Sequence, residues 1–111
     1  MQTPAPHIFD RLFAAIKAKR RGDPATSYTA SLFRRGVPKI AQKLGEETTE
    51  TIIEAVRGDK ARLREESADL LYHLFVLWAA AGITPDQVGK ILSKRFGQSG
   101  IAEKAQRSAK K

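Results

Sequence analysis

Two pairs of acidic residues are spaced so that each pair can act from one side of a helix. Glu47 and Glu50 are three positions apart, and so are Glu66 and Asp69. Residues three apart share a helix face, so the carboxylates of each pair project together. Crowded carboxylates repel one another unless a cation lies between them, and an all-carboxylate ligand set suits Mg²⁺, with Mn²⁺ as a substitute. The spacing therefore predicts a metal site formed by these four residues.

A short connection predicts that the two acidic pairs face each other. Gly58 ends one predicted helix and Asp59 caps the next. So short a connection joins antiparallel neighbours, which makes the two helices a hairpin. Positions that lie level across a hairpin have a constant sum of residue numbers, and Glu50 with Glu66 shares that sum with Glu47 and Asp69. The four carboxylates are therefore expected to form one stripe.

The same register extends this stripe in both directions. Toward the turn it predicts an ion pair between Glu54 and Arg62, and away from the turn it places Lys43 level with His73. His73 could support the metal ligands or contact substrate, and a satisfied structural histidine is the alternative that we favour. A di-iron site is disfavoured, because it would need an acid three residues before the histidine, where Leu70 stands.

Periodicity and capping signals predict an all-α fold, a helical bundle built around the antiparallel hairpin and completed by dimerisation. Neither an alternating strand pattern nor an internal repeat is present in the sequence. Five helices are expected: Ile8 to Arg20, Ser27 through Arg35, Val37 to Arg57, Asp59 through Ala81, and Thr84 to about Phe96.

The composition bounds the class of protein. With 111 residues the chain is expected to be a single domain, 1–111, with its core at about 8–96 and a basic, flexible tail at 97–111. A net charge of +8 favours anionic partners, and it makes the concentration of acid in the hairpin the more informative feature. The chain has no cysteine and no apolar run near the ~20 residues that span a bilayer, so we expect a cytoplasmic protein without a membrane partner.

Basic residues ahead of the acids are candidates for substrate contact. Lys39 and Lys43 lie one turn apart and could contact phosphate, or they could form a solvated face. Arg34 and Arg35 precede Gly36 and could close over a substrate as part of a mobile loop. The alternative, which we favour, is that they lie on a solvated surface without a role in binding.

Some polar and aromatic residues could likewise have either a functional or a structural role. Ser27 and Tyr28 could contact substrate, or they could form a helix cap with a packing aromatic. Tyr72, Phe75 and Trp78 are expected in the core or in a dimer interface.

Three stretches of the sequence resemble the phosphoribosyl-ATP pyrophosphatase family, which lies within the all-α, MazG-like nucleoside-triphosphate pyrophosphohydrolases. The paired acids alone resemble the pattern of the whole superfamily. Ser27-Tyr28-Thr29-Ala30 and residues 39–47 narrow the resemblance to this family. The likeness extends from about Phe9 to Arg95. The stretches are Ser27-Tyr28-Thr29-Ala30, residues 39–47 and residues 66–73.

The resemblance implies an enzyme that hydrolyses phosphoribosyl-ATP to phosphoribosyl-AMP and pyrophosphate with Mg²⁺, the second step of histidine biosynthesis. It also implies a homodimer whose helices complete a bundle. Glu46, Glu47 and Glu50 are the catalytic candidates, and Glu46 or Glu50 is the candidate general base.

Three alternatives remain open from the sequence. A MazG-like housecleaning enzyme that hydrolyses other nucleoside triphosphates would need the same acidic stripe. A nucleic-acid-binding bundle would explain the +8 charge but not the stripe, because the acids would repel phosphate. A purely structural bundle or antitoxin-like partner would gain no thermal stability from Mg²⁺.

Overall fold

Five helices make up the part of the chain that the structure describes. A computed structural model describes residues 7–97, and this range contains no strand, which confirms the all-α prediction. The tail predicted for 97–111 lies outside the described residues apart from Gly97. The helices are α1 (Ile8–Ala18), α2 (Tyr28–Arg35), α3 (Val37–Arg57), α4 (Lys60–Ala81) and α5 (Pro85–Phe96).

The predicted helix ends are confirmed at nearly every position. The Asp59 side chain accepts a hydrogen bond from the Arg62 N–H at 3.0 Å and so caps α4. Thr84 and Gln87 form the reciprocal capping box that begins α5. The end of α1 differs: the helix stops at Ala18, because the Lys19 N–H turns back to the carbonyls of the preceding turn instead of continuing the helix.

The α3–α4 hairpin is the longest feature of the fold, with helices of 21 and 22 residues packed along each other. Gly58 makes the turn with φ of 79°, in the left-handed region that glycine enters without steric cost. Its N–H bonds back to the carbonyls of Glu54 and Ala55, which closes the end of α3. This turn fixes the register in which the two acidic helices meet.

The apolar core lies at the end of the hairpin that is far from the turn. There α1 packs on α4, and α2 packs across both α3 and α4. Phe75 is buried, and Tyr72 and Trp78 pack against the core, which confirms their predicted packing role. The other buried members are Phe13, Ile16, Leu32, Ile40, Val76 and Ala79.

Some apolar surface is left uncovered by the described helices. On the outer side of α3 stand Ile52, Ile53 and Val56, the last of them 83% exposed. The helix α5 makes only sparse contact with the other helices and ends in Phe96, which is 94% exposed. Within residues 7–97 no single helix has the length and apolarity to cross a membrane; α4 and α5 meet that test only as a pair bent by 108°.

Candidate metal centre and its surroundings

The hairpin brings three of the four predicted carboxylates into one cluster. One carboxylate oxygen from each of Glu47, Glu66 and Asp69 lies within 4.8 Å of the others. Glu50 stands outside this tight group but next to it, since its carboxylate acts on the pKa of both Glu47 and Glu66. The fold therefore brings the two acidic pairs together in the register that the sequence predicts.

Thr51 links the two acidic helices and was missed by the sequence analysis. Its hydroxyl oxygen lies 2.7 Å from the carbonyl oxygen of Glu47 and 3.2 Å from that of Glu66. The single hydroxyl proton can therefore bond within α3 or across to α4. A threonine one position past an acid gives no distinctive signal in sequence, because most helical threonines bond only to their own helix.

Crowding raises the pKa of two of the clustered acids. A hydrogen bond with Glu50, and burial after it, raises the pKa of Glu66 to about 7. Burial, and then the charge of Glu50, raises the pKa of Glu47. In the absence of a cation, the cluster therefore holds a proton near neutral pH.

Two buried oxygen atoms test whether the cluster suits a cation. Oε2 of Glu47 and Oε2 of Glu66 are both buried, and neither has a hydrogen-bond partner among the described residues. Leaving a charged oxygen buried and unpaired is costly, and a bound cation would remove that cost. The donors are all carboxylate oxygens, which suits a hard ion such as Mg²⁺ better than a softer transition metal. The residues therefore fit the predicted ion.

Glu46 is half-exposed and does not belong to the group of three carboxylates. Its carboxylate lies 3.1 Å from the Lys43 ammonium, and this hydrogen bond lowers the pKa of Glu46 and raises the pKa of Lys43. The charge of Lys39 lowers the pKa of Glu46 further. Both lysines thus stand one to two turns from the cluster, on the helix that supplies Glu47 and Glu50.

His73 is held on both sides of its ring. The side chain is only 5% exposed. Its Nδ1–H donates to the Asp69 carbonyl at 2.8 Å, which leaves Nε2 to accept from the Tyr28 hydroxyl at 3.2 Å. This is the satisfied structural histidine that the sequence analysis left as an alternative, and it ties α2 to α4 one turn from Asp69.

The residues at the start of α2 have clear structural roles. Ser27 Oγ accepts the Ala30 N–H at 3.1 Å and caps the helix. The ring of Tyr28 stacks on that of Tyr72, whose hydroxyl bonds to Thr29. Tyr28 remains half-exposed beside the carboxylate stripe, so its substrate contact stays a prediction.

The predicted ion pair between Glu54 and Arg62 is wrong. Glu54 lies 3.7 Å from Arg57, and Arg62 lies 3.8 Å from Asp59. In each case the partner is one turn away on the same stretch of chain, so it is reached without spanning the hairpin. Glu54 itself is only 7% exposed and faces the helix interface.

Arg34 and Arg35 form the last turn of α2, as the predicted helix through Arg35 requires, and not a loop. Their contact with substrate stays a prediction. The helix continues to Gly36, whose φ of 86° allows the chain to turn directly into α3. The two arginines also have different surroundings. Arg34 lines a cleft between the segment after α1, the helix α2 and the α3–α4 hairpin, and Arg35 does not.

Comparison with known proteins gives a consistent family. The model of the phosphoribosyl-ATP pyrophosphohydrolase family matches residues 9–96. A phosphoribosyl-ATP pyrophosphatase of Azospirillum brasilense is 61% identical over 102 residues, which cover 92% of each chain. The protein of the same name from Rhodospirillum rubrum is 54% identical over 94% of this chain and 89% of its own. That from Cereibacter sphaeroides (strain ATCC 17023) is 52% identical over 90% of this chain and 97% of its own.

Proposed function

The chain belongs to the phosphoribosyl-ATP pyrophosphohydrolase family, and we propose that it hydrolyses phosphoribosyl-ATP to phosphoribosyl-AMP and pyrophosphate in histidine biosynthesis. One observation carries the chemistry: three carboxylates converge within 4.8 Å, and two of them present buried oxygens without a hydrogen-bond partner among the described residues. Such a cluster would repel the phosphates of a nucleotide unless it acted through a cation. The proposal therefore includes Mg²⁺, with Mn²⁺ as a substitute.

Glu47, Glu66 and Asp69 would hold the ion between the two helices of the hairpin. When bound there, Mg²⁺ neutralises charge on the triphosphate oxygens and lowers the pKa of a coordinated water. Rigid positioning is the contribution of the fold, because the turn at Gly58 and the packed α3–α4 interface set the spacing of the ligands. Glu66 would have to be ionised to serve as one of these ligands.

Glu50 is the residue best placed to accept a proton from the attacking water. Its carboxylate adjoins the metal cluster without belonging to the tight group of three. Glu46 is less suited, because the ion pair with Lys43 occupies its carboxylate and lowers its pKa. The water oxygen bonds to the α-phosphorus, the bond from that phosphorus to the bridging oxygen breaks, and pyrophosphate leaves with the electron pair. Lys43 and Lys39 would contact the departing phosphates.

A homodimer is part of the proposal. The uncovered apolar residues of α3, namely Ile52, Ile53 and Val56, would be buried against a second copy. The sparsely packed α5, with Phe96 at its end, would gain contacts in the same way. A cytoplasmic setting, in which nucleoside triphosphates are abundant, belongs to the same proposal.

The test is a substrate comparison with the purified protein. Phosphoribosyl-ATP, ATP and dUTP are supplied in turn, with Mg²⁺ and with the metal removed by a chelator, and pyrophosphate is measured. We expect Mg²⁺-dependent release from phosphoribosyl-ATP far above that from the other two. Release mainly from ATP or dUTP would instead identify a housecleaning pyrophosphohydrolase, and release from none would contradict the enzymatic function.

A further inference from the structure

A basic cleft lies at the end of the molecule that is far from the α3–α4 turn. Its volume is about 410 Å³, and it is bounded by the segment after α1, one side of α2, the start of α3 and the end of α4. Its basic lining residues are Arg20, Arg21 and Arg34, and among residues 7–97 no acidic residue lines it. Phe33, Ala30, Ala80, Val37 and Pro24 contribute its apolar surface.

Arg20 is anchored at the edge of this cleft. One terminal nitrogen donates to the Ala79 carbonyl at 2.8 Å, and the guanidinium lies 5.5 Å from the centre of the Phe33 ring. A guanidinium has five N–H donors in a fixed fork, so these contacts leave further donors available. These two contacts hold a positive charge in place before any ligand arrives, which reduces the entropy cost of binding.

The positive charge of the cleft is not balanced by ion pairs. None of the ion pairs formed among residues 7–97 involves Arg20, Arg21 or Arg34. Guanidinium groups match the oxygens of a phosphate in a bidentate manner and retain their charge at all physiological pH values. An apolar surface beside such a group suits a phosphate carried on a sugar rather than a free inorganic ion.

The cleft and the carboxylate cluster lie apart along the same hairpin. Gly36 lines the cleft and Glu47 lies in the cluster, and a helical rise of 1.5 Å per residue puts them roughly 16 Å apart along α3. The helix α2 connects the two: Tyr28 at its start bonds to His73 near the cluster, and Arg34 at its end lines the cleft. A ligand that reaches both places needs one anionic group for a cation held at the cluster and another for the arginines of the cleft.

We propose that this cleft binds the sugar phosphate of the phosphoribosyl group and thereby distinguishes phosphoribosyl-ATP from ATP. The inference rests on the proposed function, because it assigns the second anionic end of the same substrate. The triphosphate lies at the carboxylate cluster with Mg²⁺, and the phosphate monoester, which ATP lacks, is held by Arg34, Arg21 and the anchored Arg20. The cleft determines substrate choice and takes no part in bond breaking.

The kinetic test compares Arg34→Gln and Arg21→Gln with Arg11→Gln. Arg11 is an exposed residue of α1 that does not line the cleft, so its replacement removes the same charge elsewhere. Arg20 is left intact because its contact with α4 supports the fold. Loss of one charged hydrogen bond should raise KM for phosphoribosyl-ATP roughly 10- to 100-fold in the two cleft variants, with kcat little changed. Any hydrolysis of ATP should fall no further in the two cleft variants than in Arg11→Gln. Equal increases in KM in all three variants would overturn the proposal.

A binding measurement separates this inference from the proposed function. Ribose 5-phosphate is titrated into the metal-free protein by calorimetry, without turnover. Binding that is lost in Arg34→Gln and kept in Arg11→Gln, together with competitive inhibition against phosphoribosyl-ATP, supports the assignment. Binding that is equal in both variants, or inhibition that is not competitive, overturns it even where pyrophosphate release is normal. Absence of release from the wild-type protein would instead overturn the proposed function.

Discussion

At the scale of single residues, the hairpin holds like charges closer together than they would lie in solvent. The pKa of Glu66, raised to about 7 by its hydrogen bond with Glu50, is the chemical consequence. Asp69 stands at the exposed side of the cluster, and Glu47 and Glu66 each have one oxygen shut off from water. A cation bound there would replace a proton, so metal affinity and pH are linked.

This linkage predicts that Mg²⁺ affinity rises with pH. The folded pKa of Glu66 is about 7, above the ordinary value of 4.5, so the metal-free folded chain binds more protons than the unfolded chain between those values. Its stability therefore falls as pH rises through that window, and Mg²⁺ binding, which needs the ionised carboxylate, strengthens over the same window. The measurement is the increase in Tm caused by Mg²⁺ from pH 5 to pH 8. An increase that does not depend on pH would contradict this account.

A second residue-scale prediction identifies the base. Glu50→Gln should lower kcat by roughly 10²- to 10⁴-fold, the usual contribution of a general base, while Mg²⁺ still raises Tm. Glu46→Gln removes the same charge one turn earlier on α3 and should cost much less, because Glu46 is paired with Lys43. Steady-state kinetics at saturating Mg²⁺ provide the comparison. A larger loss in Glu46→Gln would exchange the roles of the two residues.

The convergence of Glu47, Glu66 and Asp69 could be predicted from sequence because helical spacing and a short turn determine which positions face each other. Individual side-chain partners could not be predicted in the same way. Glu54 and Arg62 are level in the register, yet each has a partner one turn away on its own chain segment. Thr51 bonds toward both helices only because their backbones approach closely there. Such choices depend on rotamers and distances of a few ångströms, which spacing does not specify.

At the scale of elements, the capping residues explain why the helix boundaries could be predicted so closely. Ser27, Asp59 and Thr84 each accept a backbone N–H at a helix start, as their residue types indicate. The position of α2 across the hairpin, by contrast, depends on the Tyr28–His73 contact, which joins residues 45 positions apart. Local signals do not report contacts of that separation, so the cleft at the end of α2 was not predicted.

The turn at Gly58 gives a prediction about stability. Gly58→Ala should destabilise the chain by about 1 kcal/mol, because alanine is strained at a φ of 79°. Gly58→Asn is the matched control, since asparagine tolerates the left-handed region and should lose less. No atom of the described residues lies within 4 Å of a Cβ added at Gly58, so the difference between the two variants reports backbone strain. Urea denaturation measures both variants, and equal losses would contradict the explanation.

At the scale of the whole molecule, charge and apolar surface are unevenly placed. The carboxylate cluster lies midway along the hairpin, the basic cleft lies at the end away from the turn, and the chain as a whole carries +8. In the proposed function, this arrangement would let a cation at the cluster hold one end of the ligand and the arginines of the cleft hold the other. The uncovered apolar side of α3 is separate from both and is available to a second copy.

Oligomeric state tests the proposed use of that apolar side. Val56→Lys should shift the chain toward monomer in sedimentation experiments, because a charge would have to be buried in the dimer. The fold of each chain should be unaffected, since Val56 is 83% exposed. Ile8→Lys, which changes an exposed apolar residue of α1, is the control. Dissociation of the control alone would place the interface elsewhere, and a wild-type monomer would contradict the dimer itself.

In the proposed function, the carboxylate cluster performs metal-dependent hydrolysis of phosphoribosyl-ATP. The most direct measurement is pyrophosphate release from this substrate with Mg²⁺ by the wild-type protein, Glu66→Gln and Glu65→Gln. Glu66 belongs to the cluster, whereas Glu65 is its exposed neighbour on α4. We expect the rate of pyrophosphate release to fall at least about 10²-fold in Glu66→Gln and to be retained in Glu65→Gln. Full activity in Glu66→Gln would contradict this role of the cluster.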